Sequence, residues 1–114
     1  MMSDRIGKCL ERHQKDYAAL SPKPEQFDAM SAALQIMQRE QPNYSAEDLR
    51  SVAVPVTIAQ AEGDEFIRPE HARYIAETIP GTTFVDLPGV THFAPVQKPD
   101  LFNTAVLNFL TRLA

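Results

Sequence analysis

The feature that most constrains this chain is an alternation in its second half. The run from Val52 to Ala61 is β-branched and apolar in character, and Glu62-Gly63-Asp64-Glu65 ends it. That pattern predicts a buried strand, with Pro55 near its start. Pro69 then sits where a first helical residue belongs, and Ala72, Ile75, Ala76 and Ile79 supply an apolar face before Pro80-Gly81 stops the helix. Thr83 to Leu87 reads as a second short strand, and Pro88-Gly89-Val90-Thr91-His92 as a loop. Pro99 opens a last helix whose apolar side holds Leu101, Phe102, Ala105, Val106, Phe109, Leu110 and Leu113. Strand, helix, strand, helix predicts a right-handed βαβ unit with a following helix. Both strands are then parallel, and the fold class is α/β.

The residues before this unit read as helical throughout. Ile6, Leu10, His13, Tyr17 and Leu20 fall near one helix face. Ser21-Pro22-Lys23-Pro24 breaks that helix, and Pro24 begins a second with Phe27, Met30, Leu34 and Met37 as its apolar stripe. Gln41-Pro42-Asn43-Tyr44 closes it, and Ser45 with Asp48 three residues on resembles a capping box for one more short turn. With 114 residues the expectation is one domain. It comprises a helical block over 1–50 and a β-α-β-α unit over 51–114.

Composition narrows the function classes. Hydrophobic residues at 44% and charged residues at 23% place the chain among globular proteins rather than disordered ones. A net charge of −4 gives no electrostatic reason to expect nucleic acid or an anionic membrane as partner. Cys9 is the one cysteine, so no intrachain disulfide is expected, and no Cys/His cluster has metal-binding spacing. No cofactor-binding motif stands out either. The charged start lacks the apolar core of a signal peptide, and cytoplasmic location is the default expectation.

Two loops are placed to carry chemistry. In open α/β sheets, the loops that follow strand C-termini face the functional crevice. One such loop holds Asp64 and the other His92. Neighbouring strands lie about 4.8 Å apart, so these loops emerge side by side. A carboxylate there can accept a hydrogen bond from an imidazole N–H, fix its tautomer and stabilise its charged form. Taken singly, Asp64 reads as a turn residue beside Gly63, and His92 as a structural or exposed histidine. Taken together, at the ends of successive strands, they read as the acid and base of a nucleophilic triad. Glu65 reads as a solvated loop charge, His13 and His71 as packing or surface residues, and Cys9 as a small core residue.

The residues resemble one family. Pro55-Val56-Thr57-Ile58-Ala59 followed by Ala61-Glu62-Gly63-Asp64-Glu65-Phe66-Ile67 is similar to the penultimate strand and acid loop of α/β-hydrolases, with Ala61 in place of the usual glycine. Pro80-Gly81, Leu87-Pro88-Gly89, Thr91-His92-Phe93 and Gln97-Lys98-Pro99 resemble that family's last strand, histidine loop and terminal helix. The resemblance covers about Val52 to Ala114. It implies that Asp64 matches the triad acid, that His92 matches the triad histidine, and that the helical block resembles the family's cap. It also implies a parent chemistry of ester, lactone or similar hydrolysis through an acyl-enzyme.

One element of that family is missing. Its serine sits in Gly-x-Ser-x-Gly at a strand-to-helix elbow. The glycines here are Gly7, Gly63, Gly81 and Gly89, and none has a serine within two positions. The oxyanion-hole loop and the first several strands have no counterpart either, so no nucleophile is assigned and little activity is expected of the isolated chain. The expected function is that of a truncated α/β-hydrolase. The alternatives are a binding or assembly module on the same scaffold, or one chain of a split enzyme with the missing N-terminal half on another chain. The first strand lacks one neighbour, which predicts a homodimer.

Overall fold

The structure, a computed structural model, describes residues 2–41 and 43–114. Pro42 in the break after the second helix, and the side chain of Ile6 on the first, lie outside the described residues. Two compact units are present, residues 1–43 and 44–114.

The first unit is helical, as its apolar spacing predicts. Helix α1 spans Met2–Leu20 and α2 spans Phe27–Glu40. Between them Pro24–Gln26 forms one turn of 3-10 helix rather than the first turn of α2. Proline without an N–H is suited to that entry position. The Ser21 N–H donates to the Tyr17 carbonyl at 2.9 Å, and the Lys23 N–H to Ser21 Oγ at 3.1 Å, which closes α1. The rings of Tyr17 and Phe27 meet edge to face, with centroids 5.4 Å apart. Phe27 and Met30 are half-buried there, whereas Leu34 and Met37, further along the same stripe, are exposed.

The second unit begins with α3 (Ala46–Arg50), where the capping box is complete. Ser45 Oγ accepts the Asp48 N–H at 3.1 Å, and Asp48 Oδ2 accepts the Ser45 N–H at 2.7 Å. Strand β1 spans Thr57–Ala61, α4 Pro69–Thr78, β2 Thr83–Leu87, α5 Ala94–Gln97 and α6 Pro99–Leu113. The strands pair in parallel, from Thr57 opposite Thr83 to Ala61 opposite Leu87, and form a two-stranded sheet among the described residues. Strand β1 is half the length that its apolar run predicts. Val52 spends its N–H on the Leu49 carbonyl, and Pro55 has no N–H to offer a ladder. Gly81, at φ +70°, makes the turn between α4 and β2.

The core lies where the strands end. Ala61, Leu87, Val90 and Ala94 are buried together, with Val85, Leu101, Phe102 and Ala105 packed against them. Ala72 of α4 and Ile79, just past its end, are buried as well. At the opposite end of the sheet, Arg112 of α6 donates to Thr83 Oγ1 at 3.2 Å and to Thr57 Oγ1 at 3.4 Å. One guanidinium therefore holds the start of both strands. Among the described residues no helix is long and apolar enough to cross a membrane.

Candidate active site

The acid loop and the histidine loop are sewn together through their backbones. The Glu62 N–H donates to the Leu87 carbonyl at 3.0 Å, and the Gly63 N–H to the Val90 carbonyl at 2.9 Å. These bonds continue the parallel pairing past the ends of β1 and β2. A Cβ on Gly63 would stand 3.2 Å from the Val90 oxygen, so a glycine here permits the close approach. Gly89, at φ +66°, turns the chain between β2 and Val90.

This seam brings the two predicted residues together. His92 Nδ1 lies 3.1 Å from Asp64 Oδ2 and 3.2 Å from Oδ1. A carboxylate only accepts, so the neutral ring carries its proton on Nδ1. Asp64 Oδ1 also accepts the N–H groups of Phe66 at 2.8 Å and Ile67 at 2.9 Å. Burial pushes the Asp64 carboxyl up, but the N–H groups of Ile67 and Phe66, followed by His92, outweigh it and hold the group below its ordinary value of 3.8. The Asp64 side chain is 9% exposed and that of His92 45%. The carboxylate is thus sheltered and fixed, while the imidazole is about half exposed. Nε2 makes no hydrogen bond among the described residues. Phe66 packs edge to face on the ring, with centroids 4.8 Å apart, and Phe93 does so at 5.8 Å. The pair opens on a cleft of about 420 Å³ that runs along β1, past Ile58, Ala59 and Ile67.

Four features were not anticipated from the residues. Glu65 is not a solvated charge: it is half-buried, and its Oε2 accepts the His92 N–H at 3.0 Å. Glu62 Oε2 likewise accepts the Gly89 N–H at 2.7 Å. Each carboxylate crosses from the acid loop to the histidine loop. Gln60, in a strand that reads as wholly apolar, is 5% exposed, and its Nε2 donates to the Ile67 carbonyl at 3.3 Å. It pins the loop that holds Asp64. The acidic residues at 62 and 65, flanking Asp64, were the available signal for the first two. The short helix α5 also follows the histidine, with the Gln97 Oε1 accepting the Thr91 N–H at 2.7 Å. His71 lines the same cleft as Asp64 and His92, with its ring stacked on Tyr74 at a centroid distance of 6.5 Å. Among the described residues no group of three or more His, Cys, Asp or Glu side chains is arranged to hold a metal ion.

Comparison with known proteins places this architecture. No family model matches the chain. A protein of Caulobacter sp. strain K31 named as the carbamate hydrolase RutD is 35% identical over 65 residues, which are 57% of this chain and 24% of that protein. Among solved structures, a serine hydrolase involved in carbazole degradation, CarC, superposes with a TM-score of 0.65 at 23% identity. A protein of Mycobacterium tuberculosis H37Rv named as the non-haem bromoperoxidase BpoC does so with a TM-score of 0.57 at 21% identity. They cover 80% and 82% of this chain but only 35% and 41% of their own lengths. The chain therefore carries a partial α/β-hydrolase fold. It spans about a quarter of the length of the curated relative that it matches.

Proposed function

We propose that this chain supplies the acid and the histidine of a serine-type acyl-transfer site, and that the nucleophile comes from residues outside it. One observation carries the reading. His92 Nδ1 lies 3.1 Å from a sheltered Asp64 carboxylate at the ends of two adjacent parallel strands, on a side chain that is itself 45% exposed. In that arrangement Nε2 takes the proton from an attacking serine hydroxyl and later returns it to the leaving group. Asp64 holds the tautomer and stabilises the imidazolium formed in between. The bond cleaved is an ester, a lactone or a related acyl bond, and the carbamate in the name of the Caulobacter relative belongs to the same class. The helical block is assigned to the cap, from its position ahead of the acid strand.

A chimera tests this. The acid-and-histidine segment of the Caulobacter protein is replaced by residues 52–114 of this chain, and the product is labelled with a fluorophosphonate and assayed on a simple ester. Labelling and turnover should survive, and both should fall about 10³-fold or more when His92 is changed to Ala. An active chimera indifferent to His92→Ala would overturn the proposal. The 114-residue chain alone should give no serine adduct.

A second reading concerns assembly. Strand β1 pairs only with β2 among the described residues. Its other edge offers unpaired N–H and C=O groups next to the apolar side chains of the cleft, a surface that associates unless covered. For the chain by itself, the cover we propose is a second copy related by a two-fold axis.

A further inference from the structure

We propose that Glu65 is a positioning residue for His92, holding its main chain so that the ring stays in register with Asp64. Its catalytic meaning rests on the acid–histidine reading above, while its geometric content belongs to this chain alone. Asp64 and Glu65 are consecutive, yet their carboxylates do different things. Asp64 turns back onto its own loop, where Oδ1 takes the N–H groups of Phe66 and Ile67, and it meets the imidazole with both oxygens. Glu65 crosses to the other loop and takes the His92 N–H at 3.0 Å. One histidine is therefore gripped at two points by neighbouring residues, the ring by Asp64 and the backbone by Glu65.

The two grips need each other. A ring on a free loop can rotate about its side-chain torsions and lose the short contact to Asp64. With the backbone N–H fixed, those torsions are the freedom that remains, and the contacts with Asp64, Phe66 and Phe93 restrict them. The second acidic crossing, from Glu62 to the Gly89 N–H, braces the start of the same loop three residues earlier. Glu65 is also the neighbouring carboxylate with which the imidazole could pair wrongly. Its engagement with a main-chain donor keeps it off the ring and leaves Asp64 as the acceptor of the Nδ1 proton.

The test uses the 15N-labelled chain and reads two signals of His92, the exchange rate of its backbone amide and the 15N shifts of its two ring nitrogens. Glu65→Ala should speed amide exchange about tenfold. It should also move the ring shifts from those of an Nδ1-protonated imidazole towards the averaged values of a mixed tautomer. Glu65→Gln keeps an acceptor oxygen at that reach and should restore both. Should the alanine variant fail to fold, Glu65→Asp, one methylene shorter, carries the same expectation. Faster exchange with an unchanged ring signature would overturn the proposal, since Glu65 would then be only a brace for the loop. Wild-type values for both signals would overturn it too. Asp64→Asn in the same spectra separates this result from failure of the underlying pair: ring shifts that move in Asp64→Asn but not in Glu65→Ala count against Glu65 alone.

Discussion

Asp64 is held by three donors on two loops, and its pH response follows from that. Burial raises its carboxyl and the hydrogen bonds lower it further, so the folded value lies below the ordinary 3.8. A group whose folded value is depressed contributes stability at pH above its unfolded value and loses it as pH falls through the folded one. Thermal melts of the chain and of Asp64→Asn, taken from neutral pH down past 3.8, should show the variant less stable at first. The gap should narrow as the wild-type carboxyl takes its proton. Asp48, lowered by the main-chain N–H and the hydroxyl of Ser45, adds acid lability of the same sign to both proteins and cancels in the difference. A gap that keeps its size at all pH values would mean that the carboxylate form of Asp64 does nothing for the fold.

Gly63 bears on the same pair through the backbone. Its Cα faces the Val90 oxygen so closely that a methyl group would stand 3.2 Å from it. Gly63→Ala should therefore push the loops apart and cost about 1–3 kcal/mol, as overpacking does. Chemical denaturation measures the cost, and a variant as stable as wild type would show that the seam yields freely.

At the scale of elements, much of the second unit could be read from its residues. Thr83–Leu87 is the strand that its β-branched and apolar residues predict, and Pro69 and Pro99 stand at the helix starts expected of them. The Ser45–Asp48 box was legible because capping depends on residues three apart. Less legible was whatever depends on partners far away in the chain. Glu65 and Glu62 act on atoms 27 residues distant, and the periodicity of a loop carries no trace of that. Gln60 passed unremarked in a run read as apolar, although its amide reaches into the loop after the strand. Asp64 and His92 were recoverable as a pair because parallel β-α-β topology sets two strand ends side by side, whatever lies between them. Arg112 shows the same dependence at the other end of the sheet. Replacing it with Met should cost about 1–2 kcal/mol in chemical denaturation, through two lost bonds to strand threonines. An unchanged midpoint would mean that solvent serves those hydroxyls equally well.

For the whole molecule, the balance of covered and uncovered surface is decisive. Among the described residues six apolar ones are buried, whereas Leu107, Leu110 and Leu113 on α6 and Leu34, Ile36 and Met37 on α2 are exposed. Among the described residues β1 pairs with β2 alone, which leaves its other edge open beside the cleft. If a second copy covers that edge, light scattering across a dilution series should follow a dimer into monomer, and the melting temperature should fall with concentration. A folded monomer whose melting temperature ignores dilution would rule out the dimer.

The two halves of the acid–histidine pair are 28 residues apart, and the described bonds that brace their loops run between residues from Gln60 to Gln97. The entropy of closing a loop grows only with the logarithm of its length, so bridging 28 residues costs little more than bridging half as many. Folding kinetics should then place the pair in the part of the molecule that orders first, ahead of any step that brings in a nucleophile. On the proposed reading, an acid–histidine pair assembled before a serine arrives makes docking, rather than the making of the pair, the event that would switch such a site on.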